Sequence, residues 1–111
     1  MRKVDIGGKE LAIHGSPLSL LYYKQEFGGD LMADLVVMQE KMEQLSEGDY
    51  SQLDSLQLLK FLWVLNKTAE RDQAFPNFEK WLDDLEMIDF SMPEWIQELT
   101  LELKDKFFRS I

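Results

Sequence analysis

Between Leu56 and Leu65 the chain has almost no polar face. Leu56, Leu58, Leu59, Phe61, Leu62, Trp63, Val64 and Leu65 are interrupted only by Gln57 and Lys60. In an α-helix these side chains point in every direction, and a helix that is apolar nearly all round has to be covered on all sides. The stretch is too short to cross a bilayer, which takes about 20 apolar residues. It is therefore expected to be the central helix of a globular domain, running from about Leu53 to Glu70. Asp49, Ser51 or Asp54 is placed to cap it. The rest of the chain must supply the elements that wrap it.

Those elements can be read from local signals. Val4 and Ile6 precede Gly7-Gly8, and Leu11 and Ile13 follow. Two short alternating runs around a pair of glycines read as a β-hairpin, because glycine reaches positive φ without steric cost. A lone hairpin is marginally stable in water. This one must pack against helices or pair with another chain, and packing within the chain is expected. Ser16-Pro17 starts a helix that should run to about Phe27, where Gly28-Gly29 offers a left-handed stop. Asp30 caps a second helix. Ser46-Glu47-Gly48-Asp49 is a polar break before the central helix.

After it, Pro76 forbids a continuing helix, and Asn77 caps a fourth with the stripe Phe78, Trp81, Leu82, Leu85 and Ile88. Ser91 caps a fifth, with Pro93 in its first turn and Trp95, Ile96, Leu99, Leu103 and Phe107 on one face. Glu102 with Lys106, and Asp105 with Arg109, form i,i+4 pairs on its other side. The expected fold is mainly α: a compact bundle of about five helices with a short N-terminal β-hairpin. With 45% hydrophobic residues the chain can bury a sizeable core, and it reads as a single domain over 1–111, hairpin in 1–15 and helices in 16–111.

The second helix carries the feature with most bearing on function. Leu31, Leu35, Met38, Met42 and Leu45 recur at alternating spacings of four and three. That spacing makes a seam against another helix, either within the domain or from a partner. Methionine is flexible and polarisable, so a methionine-rich face adapts to irregular surfaces. Leu31, Leu35, Met38 and Met42 are accordingly the candidate partner-binding groove, while Met32, Val36 and Val37 widen the apolar surface beside it.

Chemistry is sparse by comparison. The chain has no cysteine, hence no disulfide and no thiolate ligand. Its one histidine, His14, ends the second strand with no nucleophile elbow nearby, and reads as a surface or turn residue. Glu94, Glu98 and Glu102 form a row on the fifth helix, but hard cations need ligands converging from several directions, so the row reads as a solvated acidic stripe. Neither Gly7-Gly8 nor Gly28-Gly29 belongs to a phosphate-binding loop. No enzymatic activity, cofactor or metal is expected. The net charge of -9 repels nucleic acid and anionic membranes, and neither is an expected partner. Eight acidic residues stand against Lys41 alone between Glu26 and Asp54, which suits either a docking face for a basic protein or a solvated exterior. No apolar region follows Met1-Arg2-Lys3, so a secretory signal is not expected either.

Four blocks carry a family resemblance. They are Gly8-Lys9-Glu10-Leu11-Ala12-Ile13, Ser16-Pro17-Leu18-Ser19-Leu20-Leu21-Tyr22-Tyr23 with Phe27-Gly28, Leu59-Lys60-Phe61-Leu62-Trp63 through Asn66-Lys67-Thr68, and Phe75-Pro76-Asn77-Phe78-Glu79-Lys80-Trp81-Leu82. In this order they resemble the tail assembly chaperones of long-tailed phages and prophages of Gram-positive bacteria. The resemblance implies a non-enzymatic assembly factor of the infected bacterial cytoplasm, absent from the mature virion. Its partners would be the tape measure protein and the tail tube protein, and homo-oligomerisation stays open. Many members also exist in a longer, frameshifted form. The alternative reading of the residues is an acidic inhibitor or immunity-type protein that blocks a basic protein surface.

Overall fold

In the computed structural model, which describes residues 1–44, 53–90 and 94–108, the order of elements is β1 (Arg2–Ile6), β2 (Lys9–Ile13), α1 (Pro17–Phe27), α2 (Leu31–Glu43), α3 (Ser55–Ala69), α4 (Phe78–Leu85) and α5 (Glu94–Phe107). The chain is thus mainly α, with five helices and an N-terminal antiparallel hairpin, as the sequence predicts. Among the described residues no helix is long and apolar enough to cross a membrane.

The hairpin pairs Ile6 with Lys9 across Gly7 and Gly8, whose φ of 69° and 92° suit a two-residue turn with both central residues left-handed. Alternation puts Val4, Ile6, Leu11 and Ile13 on one buried face. β2 lies against α3 and β1 against α5, so the hairpin shields one side of the central helix and is itself stabilised by burial.

Around α3 the covering extends to every apolar residue from Leu56 to Leu65 except Leu56 itself, which is 48% exposed in the first turn. Leu58, Leu59, Phe61, Leu62, Trp63, Val64 and Leu65 are all buried. Asp54 caps this helix by accepting from the N–H groups of Leu56 and Gln57, so it begins at Ser55 and Leu53 packs into the core just ahead of it. Asp49 and Ser51, the other candidate caps, lie outside the described residues, as do Leu45 and the break at 46–49. Phe27, Trp63, Phe75, Phe78 and Trp81 form a chain of ring contacts that joins α1, α3 and α4.

The local start and stop signals act as expected. Ser16 caps α1 and accepts from Leu18 N–H, Gly28 ends that helix at φ 75°, Asp30 caps α2, and Asn77 caps α4. One boundary differs. α4 ends at Leu85 because Glu86 adopts φ 63°, and Ile88 packs half-buried from the following segment, not from the helix. That segment lays the Met87 carbonyl against the hairpin turn, where a Cβ on Gly7 would come within 2.7 Å of it. The residues before α5, Ser91 and Pro93 among them, lie outside the described ones.

Candidate functional site

The predicted stripe on α2 is divided by depth. Leu31 and Leu35 are each 1% exposed and Met38 8%, so these three belong to the core, while Met42 is half-buried. Near the C-terminal half of α2 the helix faces the last turns of α5 without close backbone packing. Between them lies a groove of about 390 Å³, a size typical of binding clefts. Leu35, Met38 and Met42 form one wall, and Leu101, Leu103 and Phe108 the other. Gln39, Glu43, Thr100 and Lys104 make its rim. An apolar floor, two flexible methionines and a polar rim suit insertion of apolar side chains from a partner helix.

Of these residues, Leu101 was not anticipated. It is off the buried stripe of α5 and 47% exposed. The available signal was a leucine on the otherwise polar face formed by Glu94, Gln97, Glu98, Lys104 and Asp105. Leu31, by contrast, is enclosed and cannot be reached without opening the domain.

Comparison of the chain with protein-family models, with curated proteins and with solved structures finds no match.

A smaller cavity of about 110 Å³ shares Met38 and is bounded by Asp34, Val37, Lys41, Leu53, Asp54 and Gln57. Beside it the Tyr23 hydroxyl donates to Asp34 at 2.5 Å and accepts from Gln57 Nε2 at 2.8 Å. Burial, followed by the bond to Asp34, pushes the Tyr23 phenol above its ordinary value. This network joins α1, α2 and α3 from the inside.

The acid-rich stretch also resolves into individual tasks. Glu26 accepts from the Phe78 N–H at 2.8 Å at the start of α4. Asp30 and Asp54 cap helices, and Asp34 holds Tyr23. Glu40 and Glu43 stand exposed on α2, while Glu47 and Asp49 lie outside the described residues.

The acidic row on α5 is solvated at Glu94 and partly at Glu98, but not at Glu102. Glu102 is 4% exposed, accepts from the Gly15 N–H at 2.7 Å, and lies 3.6 Å from Arg2 and 3.5 Å from Lys106. Glu98 and Asp105 also approach Arg2, at 3.6 and 3.1 Å. The carboxylates therefore converge on the guanidinium of β1, and Asp105 has this partner besides any interaction with Arg109, which lies outside the described residues. Among the described residues no group of three or more His, Asp or Glu is arranged to hold a metal ion. His14 donates its backbone N–H to Leu65 C=O at 3.1 Å; burial, then Lys106, lowers the pKa of its imidazole.

Proposed function

We propose that this chain is a binding protein without catalytic activity: an assembly chaperone of a long-tailed phage that holds an apolar stripe of the tape measure protein in the groove between α2 and α5. In this reading it acts in the host bacterial cytoplasm, keeps the tape measure soluble until tail tube protein assembles around it, and is absent from the mature virion. The observation that carries the reading is the groove itself, with Met38 and Met42 facing Leu101 and Phe108 above a buried floor. The resemblance of the sequence blocks to tail assembly chaperones supplies the client.

The acidic-inhibitor alternative has less support. Four of the eight acids of that stretch (Glu26, Asp30, Asp34 and Asp54) accept hydrogen bonds within the fold, so their placement is accounted for without a basic partner.

The test is retention of a co-expressed tape measure protein at low and high salt. Wild-type chain should retain it at both, because apolar contacts are not screened. Leu101→Asp and Met42→Asp should each abolish retention with the helical circular dichroism signal and Tm unchanged, since neither residue is fully buried. Retention by both variants would refute the groove; loss at high salt alone would favour the charged alternative.

A further inference from the structure

The hairpin has one covered edge and one open edge. In a two-residue turn the closing pair, Ile6 and Lys9, is hydrogen-bonded, so alternation turns the N–H and C=O of Arg2, Val4 and Ile6 toward β2. Those of Lys3 and Asp5 point away. Contacts of β2 give the same assignment independently. Its outward Ala12 C=O accepts from Asn66 Nδ2 at 2.8 Å, and the next outward group, His14 N–H, donates to Leu65 C=O. Ala12 is the cross-strand partner of Lys3, which fixes the outward direction of Lys3 as well. α3 therefore covers the edge of β2. Among the described residues no backbone group bonds the outward N–H and C=O of Lys3 or Asp5, and both residues are exposed.

An open strand edge is a template for another strand, and the sequence of this one is complementary to itself. We propose that β1 pairs antiparallel with β1 of a second copy of this chain, centred on Val4, so that one sheet runs through a homodimer. In that register Lys3 stands opposite Asp5 of the second copy, and Asp5 opposite its Lys3. Both are outward-pointing residues, so each pair can exchange N–H···O=C bonds, and the facing side chains carry opposite charge. The neighbouring registers that keep outward groups paired set Lys3 against Lys3 or Asp5 against Asp5, and like charges directly opposite are destabilising. Centring on Val4 also brings Met1, 75% exposed, opposite Gly7, whose turn abuts Met87, 58% exposed. The pairing is two-fold and closed, as most soluble homo-oligomers are. It engages the face of the molecule formed by β1 and does not depend on what fills the groove between α2 and α5.

Sedimentation equilibrium of the purified full chain, from millimolar to low micromolar concentration, tests the proposal. Wild-type chain should dimerise reversibly. Lys3→Pro removes an outward N–H that β2 does not use, and proline is tolerated on edge strands, so this variant should be monomeric with an unchanged circular dichroism spectrum. Lys3→Glu should raise the dissociation constant at least about tenfold by setting like charges opposite each other. Adding Asp5→Lys to it should return the constant to within about threefold of wild type, because opposite charges again face each other across the interface. A chain that stays monomeric at every concentration overturns the proposal. So does a dimer that persists unweakened in Lys3→Pro and Lys3→Glu, which would place the interface elsewhere, and so does a Lys3→Glu defect that Asp5→Lys leaves unrestored.

Discussion

The indole N–H of Trp81 donates to the carboxamide oxygen of Asn66 at 3.0 Å, in the buried region where α3 meets α4. The same side chain donates from Nδ2 to Ala12 C=O at 2.8 Å and to Glu70 at 3.0 Å. Trp81 can only donate and the other two partners can only accept, so the network fixes the orientation of the amide. One residue, 1% exposed, thus ties the hairpin, the central helix and α4 together. Asn66→Leu keeps the same branched arrangement of heavy atoms, with bulkier methyl ends, but leaves the Ala12 carbonyl and the Trp81 N–H without partners. It should cost about 2–4 kcal/mol, measured as a drop in the urea midpoint with m unchanged.

Arg2 and Glu102 come from opposite ends of the chain and join β1 to α5. Glu102→Gln keeps an oxygen for the Gly15 N–H, but it removes the charge that faces Arg2 and Lys106. A loss of about 1–3 kcal/mol is expected by chemical denaturation. Arg2 remains beside Glu98 and Asp105 and is partly solvated, which limits that loss; Arg2→Met leaves the buried Glu102 carboxylate with Lys106 as its remaining counter-charge and should cost at least as much. The double variant should fall short of additivity by about 0.5 kcal/mol or more, since the two groups are in direct contact. Full additivity would mean that the pair contributes nothing.

Features set by neighbouring residues were legible in the sequence, and those set by distant ones were not. Ser16, Asp30, Asn77 and Gly28 act within one helical turn, and their roles followed from residue type and position. The enclosed α3 followed from composition alone. Periodicity on α2 gave the correct face but not its depth: Leu31 and Met42 share a stripe, yet one is sealed in the core and the other lines the groove. The opposite wall comes from α5, and no local pattern pairs Leu101 with Met42. Glu102 looked solvated because nothing near it in sequence announces Arg2. The end of α4 at Glu86 is likewise set by the packing of the hairpin turn against Met87, a contact between segments far apart in the chain.

Gly7 and Gly8 make the same turn under different constraints. Both have positive φ, so alanine at either position pays a backbone strain of roughly 1–2 kcal/mol. Nothing lies within 4 Å of where a Cβ on Gly8 would sit, whereas one on Gly7 would meet the Met87 backbone oxygen at 2.7 Å. Gly8→Ala should therefore lose about the strain alone, and Gly7→Ala distinctly more, because a backbone group has to move. Thermal unfolding of the two variants side by side measures the difference. Equal losses would show that the segment at 87–88 yields freely.

Tyr23 gives the fold a dependence on alkaline pH. Its phenol is buried and donates to Asp34, which raises its pKa above the ordinary value of 10.0. A raised folded-state pKa means that the unfolded chain ionises first. The stabilisation is fully present below about pH 10 and is lost as pH rises further, because deprotonation then draws the equilibrium toward the unfolded state. Tyr23→Phe removes both the hydroxyl bonds and the titrating group. It should lower stability at neutral pH by about 1–2 kcal/mol, since Asp34 and Gln57 lose a partner but keep access to water. Above pH 10 its stability should fall less steeply than that of the wild type. Parallel urea titrations at pH 8 and pH 10.5 measure both effects. An undiminished gap between the two proteins at the higher pH would show that Tyr23 ionises in the folded state as readily as in the unfolded one.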